Sequence, residues 1–223
     1  MCGRYGLTSF PASLLRRLGG RPNLDVAFRP RYNIAPTQPL LAVLNDDDRS
    51  IVDLRWGLVP SWAASPASMK LTTFNARIET IATAPAYADS LVRKRCAIPA
   101  SGYFEWRKNA DGSKTPLWIH RRDDEPFAFA GLWSTWRRGD DILRSCAIVT
   151  QPPDDFMRPI HSRMPVVLDE SGFEGWLARG HREPADSLAS LDSQRSKEWA
   201  AHAVSSRVGN VRNDDADLLE PHP

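Results

Sequence analysis

Apolar positions along the chain fall into short blocks of strand length rather than long helical stripes. Residues 39–45 (PLLAVLN), 50–60 (SIVDLRWGLVP), 95–107 (RCAIPASGYFEWR) and 115–121 (TPLWIHR) are rich in branched and aromatic side chains. So are residues 126–137 (PFAFAGLWSTWR), 143–150 (LRSCAIVT) and 163–169 (RMPVVLD). Turn-forming stretches such as NDDDRS, KNADGSK, RRDDE and RRGDD separate them, which predicts a succession of antiparallel strands. Helical spacing is confined to a few places. In SFPASLLRRLGG, Pro11 suits a first turn, Leu14, Leu15 and Leu18 form one face, and Gly19 stops the helix. Further helices are expected at 83–95 (TAPAYADSLVRKR), 169–180 (DESGFEGWLARG) and 193–203 (SQRSKEWAAHA). Residues 29–39 (RPRYNIAPTQP) carry too many prolines for either element and predict an extended, ordered loop. The polar stretch 204–223 has spaced valines and is expected to pack back on the body.

No repeat, low-complexity tract or linker interrupts this pattern, so a single domain over 1–223 is expected. The fold class is α+β: a mainly antiparallel, barrel-like twisted sheet with peripheral helices. No apolar run reaches membrane length, and the start lacks a charged-then-apolar signal pattern. A cytoplasmic monomer, nucleoid-associated when on DNA, is the expectation.

Charge changes the picture once it is divided. Residues 1–168 hold 23 Lys and Arg against 16 Asp and Glu, a balance of +7, whereas 169–223 carry −5. The excess is mostly arginine, which suits a solvated surface or a groove for phosphates. Three cysteines with no paired spacing argue against a disulfide framework and a CxxC metal site. Cys96 and Cys146 lie in strand-like runs and are expected in the core. No histidine pair has metal-ligand spacing, so neither metal nor cofactor is expected.

Cys2 stands apart. Chain ends fray unless something ties them down, so a buried structural role is not expected there. Removal of Met1 would leave one residue with a free α-amine and a thiol, whose reference pKa values are about 8 and about 8.5. Such a 1,2-aminothiol condenses with an aldehyde to an imine and closes to a thiazolidine, which an internal cysteine cannot do. Three other stretches carry candidate chemistry. In FNARIET, an extended backbone puts Asn75, Arg77 and Glu79 on one face, as on an edge strand or beside a phosphate or sugar. In SGYFEW, Glu105 lies between Phe104 and Trp106 and faces opposite to them. A carboxylate among aromatics suits acid–base work, although a surface glutamate is the commoner case. In RPIHSRMPVVLD, His161 precedes a strand and offers a proton shuttle.

The ordered motifs MCGRY, PRYNIAPTQ, RWGLVPSW, FNARIET, SGYFEW, IHSRMPV and VGNVRN together resemble the SRAP family, the SOS-response-associated peptidases. The resemblance spans nearly the whole chain. It implies one compact, largely antiparallel fold that captures abasic sites in single-stranded DNA as a covalent crosslink, shielding the lesion. By motif it implies Cys2 as nucleophile, Asn75 as the residue positioning it or the sugar, Glu105 as acid–base group and His161 in proton transfer and reversal. Arg77 and Arg163, with Arg4 nearby, would hold phosphates. Trp106, Trp56, Pro60 and Trp62 would supply stacking or wedging surfaces. Abasic single-stranded DNA is thus the implied partner, and no protein partner is indicated. Three alternatives stay open: a thiol autopeptidase in which Cys2 cleaves its own Met1–Cys2 bond, an N-terminal-nucleophile amidotransferase lacking its ammonia acceptor, and a non-catalytic DNA binder.

Overall fold

The computed structural model describes residues 2–20, 28–69, 71–191 and 199–222. In chain order its strands are β1 (Tyr5–Leu7), β2 (Arg31–Ile34), β3 (Pro39–Leu44), β4 (Ile51–Trp56), β5 (Asn75–Arg77) and β6 (Arg95–Ala100). Two hairpins follow, β7 (Gly102–Lys108) with β8 (Lys114–Arg121) and β9 (Phe127–Arg138) with β10 (Asp141–Gln151). The short strands β11 (Met164–Pro165) and β12 (Val167–Leu168) precede β13 (Trp199–Ala203). Four short helices intervene: α1 (Ala12–Arg17), α2 (Ala88–Arg93), α3 (Glu170–Trp176) and α4 (Pro184–Ala189).

Five strands close on themselves. β3 pairs antiparallel with β4 and β6, β6 with β9 and β9 with β10, and β10 completes the ring by running parallel to β4. Closure removes the free edges that an open sheet would expose. A second, wholly antiparallel sheet has the order β13-β8-β7-β1-β2. It meets the barrel through aromatic edges: Tyr5 packs on Trp56 and Phe129 at ring distances of 5.6 and 5.8 Å, and Tyr103 on Phe129 at 6.0 Å. Cys96 and Cys146 are buried in the core, where they were expected. The mainly antiparallel, barrel-like α+β fold read from the pattern is the fold found.

Local departures have local causes. Residues 31–34 form a strand rather than a loop, because β1 beside them supplies a pairing edge that the proline count does not reveal. The expected helix at 193–203 fails over its described part: residues 199–203 pair antiparallel with Leu117–Arg121 of β8, and 193–198 lie outside the described residues. Residues 95–107 are two strands in two different sheets, broken at Ser101. Residues 163–169 are split because Val166 crosses between neighbours, its N–H donating to Val149 O and its carbonyl accepting from Ala130 N–H, both at 2.9 Å. Helix α2 keeps only the end of 83–95. The tail does pack back, burying Val208 and Leu218 against Phe104, Trp118 and Val204.

One close approach sets the spacing of the second sheet. Gly6 and Gly102 face each other across β1 and β7, and the Trp118 ring lies over both. A Cβ on Gly102 would sit 2.4 Å from that ring and 2.7 Å from the Ile119 carbonyl. Gly102→Ala therefore overpacks the sheet and should destabilise the chain by about 1–3 kcal/mol in urea unfolding. Wild-type stability of that variant would contradict the packing described.

A candidate active site at Cys2

Cys2 is fully buried, contrary to the fraying expected at a chain end. The cause is the pairing of β1 on both edges: Tyr5 faces Ile34 of β2 and Tyr103 of β7. The ladder with β7 continues toward the terminus, where the Phe104 N–H donates to the Arg4 carbonyl at 2.9 Å. Antiparallel pairing thus leads the start of the chain along β7 toward Glu105. From the barrel side, Asn75 Nδ2 donates to the Cys2 carbonyl at 2.9 Å. Asn75 is itself placed by β5, which runs parallel to β10 with Asn75 opposite Ile148, and the Tyr87 hydroxyl donates to its backbone carbonyl at 2.9 Å.

Glu105 is buried on β7 and shares its face with Tyr103, while Phe104 and Trp106 turn to the other side. The alternation read from SGYFEW holds. His161 Nε2 lies 4.0 Å from Glu105 Oε2, with about a quarter of the ring side chain (27%) open to solvent. Its Nδ1 accepts from the Arg163 N–H at 3.0 Å; in that tautomer the proton sits on Nε2, toward Glu105. Burial, reinforced by the charge of Glu105, pushes the Cys2 thiol well above its ordinary pKa. Burial likewise raises Tyr103, with Cys2 and Glu105 adding to it. Asn75 Oδ1 and the Tyr5 hydroxyl are among the buried polar atoms without a hydrogen-bond partner among the described residues. A buried polar atom left unpaired in the protein is costly.

The arginines differ in what holds them. Arg163 forms a two-pronged pair with Glu79 and donates to Thr150 O at 2.7 Å. That hydrogen bonding holds the Glu79 carboxylate below its usual range. Arg4 donates to Asn33 Oδ1 at 2.9 Å, to Val208 O at 2.6 Å and to Gly209 O at 3.0 Å. Arg77 is exposed at the end of β5. The tryptophans need correction. Trp56 is fully buried, donating to Phe74 O at 2.8 Å and packing on Tyr5, so it offers no stacking surface; Pro60 is buried too. Trp62 is 59% exposed and tethered through Nε1 to Pro85 O at 3.3 Å. Trp106 is half-buried beside Phe104 and Trp118. Among the described residues no group of His, Cys, Asp and Glu comes together as a metal site. No helix among them is long and apolar enough to cross a membrane.

Several residues of the site escaped sequence reasoning. Tyr103 could have been found, because period two places it on the face of Glu105. Tyr87 and Thr150 carry no such signal.

The family model described as SOS response associated peptidase (SRAP) matches residues 1–211, and the chain belongs to that family. It is 34% identical over 229 residues to abasic site processing protein YoqW of Bacillus subtilis (strain 168), covering the whole of both chains. Abasic site processing protein YedK of Escherichia coli (strain K12) is 32% identical over 228 residues, covering 99% of this chain and all of that one. A crystal structure of a protein from Bacteroides thetaiotaomicron shares the fold, with a TM-score of 0.84 at 21% identity over the full length of both chains.

The pH dependence of Cys2 tests the electrostatics directly. A raised pKa keeps the thiol protonated at neutral pH, so alkylation by iodoacetamide should take off at higher pH than in a short cysteine peptide. Glu105→Gln removes one of the charges that disfavour the thiolate, so its labelling profile should move to lower pH. A wild-type profile like that of a short cysteine peptide, or no downward shift in the variant, would contradict the site as described.

Proposed function

We propose that the chain, once Met1 is removed, captures abasic sites in single-stranded DNA through Cys2. The observation that supports this most is the placement of the chain's own start. A backbone carbonyl held by Asn75 fixes Cys2 beside a buried carboxylate, in a family whose relatives are named as abasic site processing proteins.

The chemistry balances without a cofactor. The Cys2 α-amine adds to the C1′ aldehyde of the ring-opened deoxyribose and expels water, giving an imine. The thiol then adds to the imine carbon and its proton ends on nitrogen, closing a thiazolidine. The net loss is one water. A thiol kept protonated by burial needs a base at the moment of attack, and Glu105 is its charged neighbour. The Glu105 carboxyl would pass protons during loss of water and ring closure. His161, part-exposed and facing Glu105, would exchange protons with solvent and serve ring opening and reversal. Asn75 Oδ1 would accept from the amine N–H or from the N–H of the protonated imine. Arg77 and the exposed face of Trp62 would meet flanking phosphates and bases; stacking on an aromatic is worth about 1–3 kcal/mol per base and is blind to sequence. Arg163 would reach phosphates only with donors not already committed, and Trp106 would stack only with its open edge; the Arg4 guanidinium is committed to Asn33, Val208 and Gly209.

The test mixes chain beginning at Cys2 with a single-stranded oligonucleotide carrying one abasic site, then measures intact mass after denaturation. An adduct of protein plus DNA minus one water is expected, absent with Cys2→Ala and absent with undamaged DNA. Asn75→Ala should slow its formation by about tenfold or more, the effect of losing a buried hydrogen bond of about 1–3 kcal/mol. Cys2→Ser separates the autopeptidase reading, since a hydroxyl still attacks an amide but closes a far less stable ring on an aldehyde. No adduct from a chain confirmed to start at Cys2 would end the proposal.

A further inference from the structure

The C-terminal tail reaches back to the strands that carry Cys2, and it does so through one buried side chain. Asn33 of β2 is fully buried. Its Nδ2 faces three tail carbonyls, those of Val208 (3.2 Å), Asn210 (3.1 Å) and Asn213 (2.8 Å), and its Oδ1 accepts from Arg4 Nη1 at 2.9 Å. Arg4 in turn donates to Val208 O and Gly209 O. Asp214 closes the same junction from outside, accepting from the backbone N–H of Tyr32 at 2.5 Å and of Asn33 at 2.9 Å and pairing with Arg31 Nε at 2.5 Å. These two N–H groups belong to β2, the terminal strand of its sheet, so the tail covers an edge that would otherwise stand open.

We propose that residues 206–215 are a clamp that positions the N-terminal cysteine, with Asn33 and Asp214 as its positioning residues. Arg4 is the link: it lies two residues from Cys2, its carbonyl is bonded to β7, and its guanidinium is bonded to the tail. β1 has only three residues, too few to hold a chain end by ladder hydrogen bonds alone. The clamp fixes the far side of that short strand and so the register in which Cys2 meets Glu105. The guanidinium of Arg4 is thereby a structural cation, and phosphate recognition falls to other residues. The consequence for catalysis rests on the aminothiol reading above; the consequence for Cys2 burial does not.

The experiment uses the full chain with Asn33→Ala and, separately, Asp214→Ala, whose side chain is part-exposed and whose loss leaves the cores untouched. All three thiols are labelled with iodoacetamide and counted by mass spectrometry, Cys96 and Cys146 serving as internal reporters of global opening. Labelling of Cys2 should accelerate by about tenfold or more in at least one variant, as expected when a local opening loses buried hydrogen bonds. Cys96 and Cys146 should stay protected on the same timescale. On abasic single-stranded DNA, the adduct rate at saturating DNA should fall while affinity for undamaged strand stays at the wild-type level. Cys2 as protected as in wild type in both variants, or three thiols labelling together, would overturn the clamp. A loss of undamaged-strand affinity together with a shallower salt dependence would instead make Arg4 a phosphate ligand and likewise overturn it. Wild-type chain that forms no adduct refutes the capture proposal and leaves the thiol result standing.

Discussion

A three-residue strand paired on both of its edges governs this molecule. Without β2 on one side and β7 on the other, Tyr5–Leu7 would be a frayed terminus and Cys2 a solvent-exposed thiol. With them, the first residues of the chain become interior. Tyr5 then fills the seam between the second sheet and the barrel, where it packs on Trp56 and Phe129. The closed barrel matters because it makes that seam rigid: β10, held by β4, β5, β9 and β11 along its length, places Asn75 on one side and the His161–Arg163 segment on the other.

Burial then sets the chemistry. A thiol out of water resists ionisation, and a nearby carboxylate resists it further, so the resting Cys2 is a poor nucleophile toward ordinary electrophiles. Under the proposed capture, that property would let the thiol wait for one kind of aldehyde. The cost appears as unmet polarity: Asn75 Oδ1 and the Tyr5 hydroxyl are buried without partners among the described residues. In the proposed capture, the lesion and its imine nitrogen lie beside Asn75 Oδ1.

How much of this was legible in the sequence depends on how local each cause is. The barrel-like antiparallel architecture was readable because turn-formers cut the apolar runs into strand lengths. The faces of β7 were readable too, since Glu105 and Phe104 obey period two. Trp56 was misplaced as a stacking surface because its burial depends on a contact with Tyr5, far away in the chain. The strand at Trp199–Ala203 looked helical because alanine is a good helix former, and only the vacant edge of β8 decides otherwise. Neither could be seen without the three-dimensional partner. Cys2 was legible as chemistry but not as a buried residue, because its burial comes from β2 and β7 and not from its own neighbours.

The central claim is that one carbon of the lesion is bonded to both the amine and the thiol of Cys2. The most direct measurement compares adduct formation by two forms of the same chain, one beginning at Cys2 and one retaining Met1, on the same abasic oligonucleotide. The account predicts a denaturation-resistant adduct from the first form and none from the second, whose cysteine nitrogen is locked in a peptide bond. Equal adduct from both would show that the thiol acts without the α-amine, and the aminothiol account would be wrong.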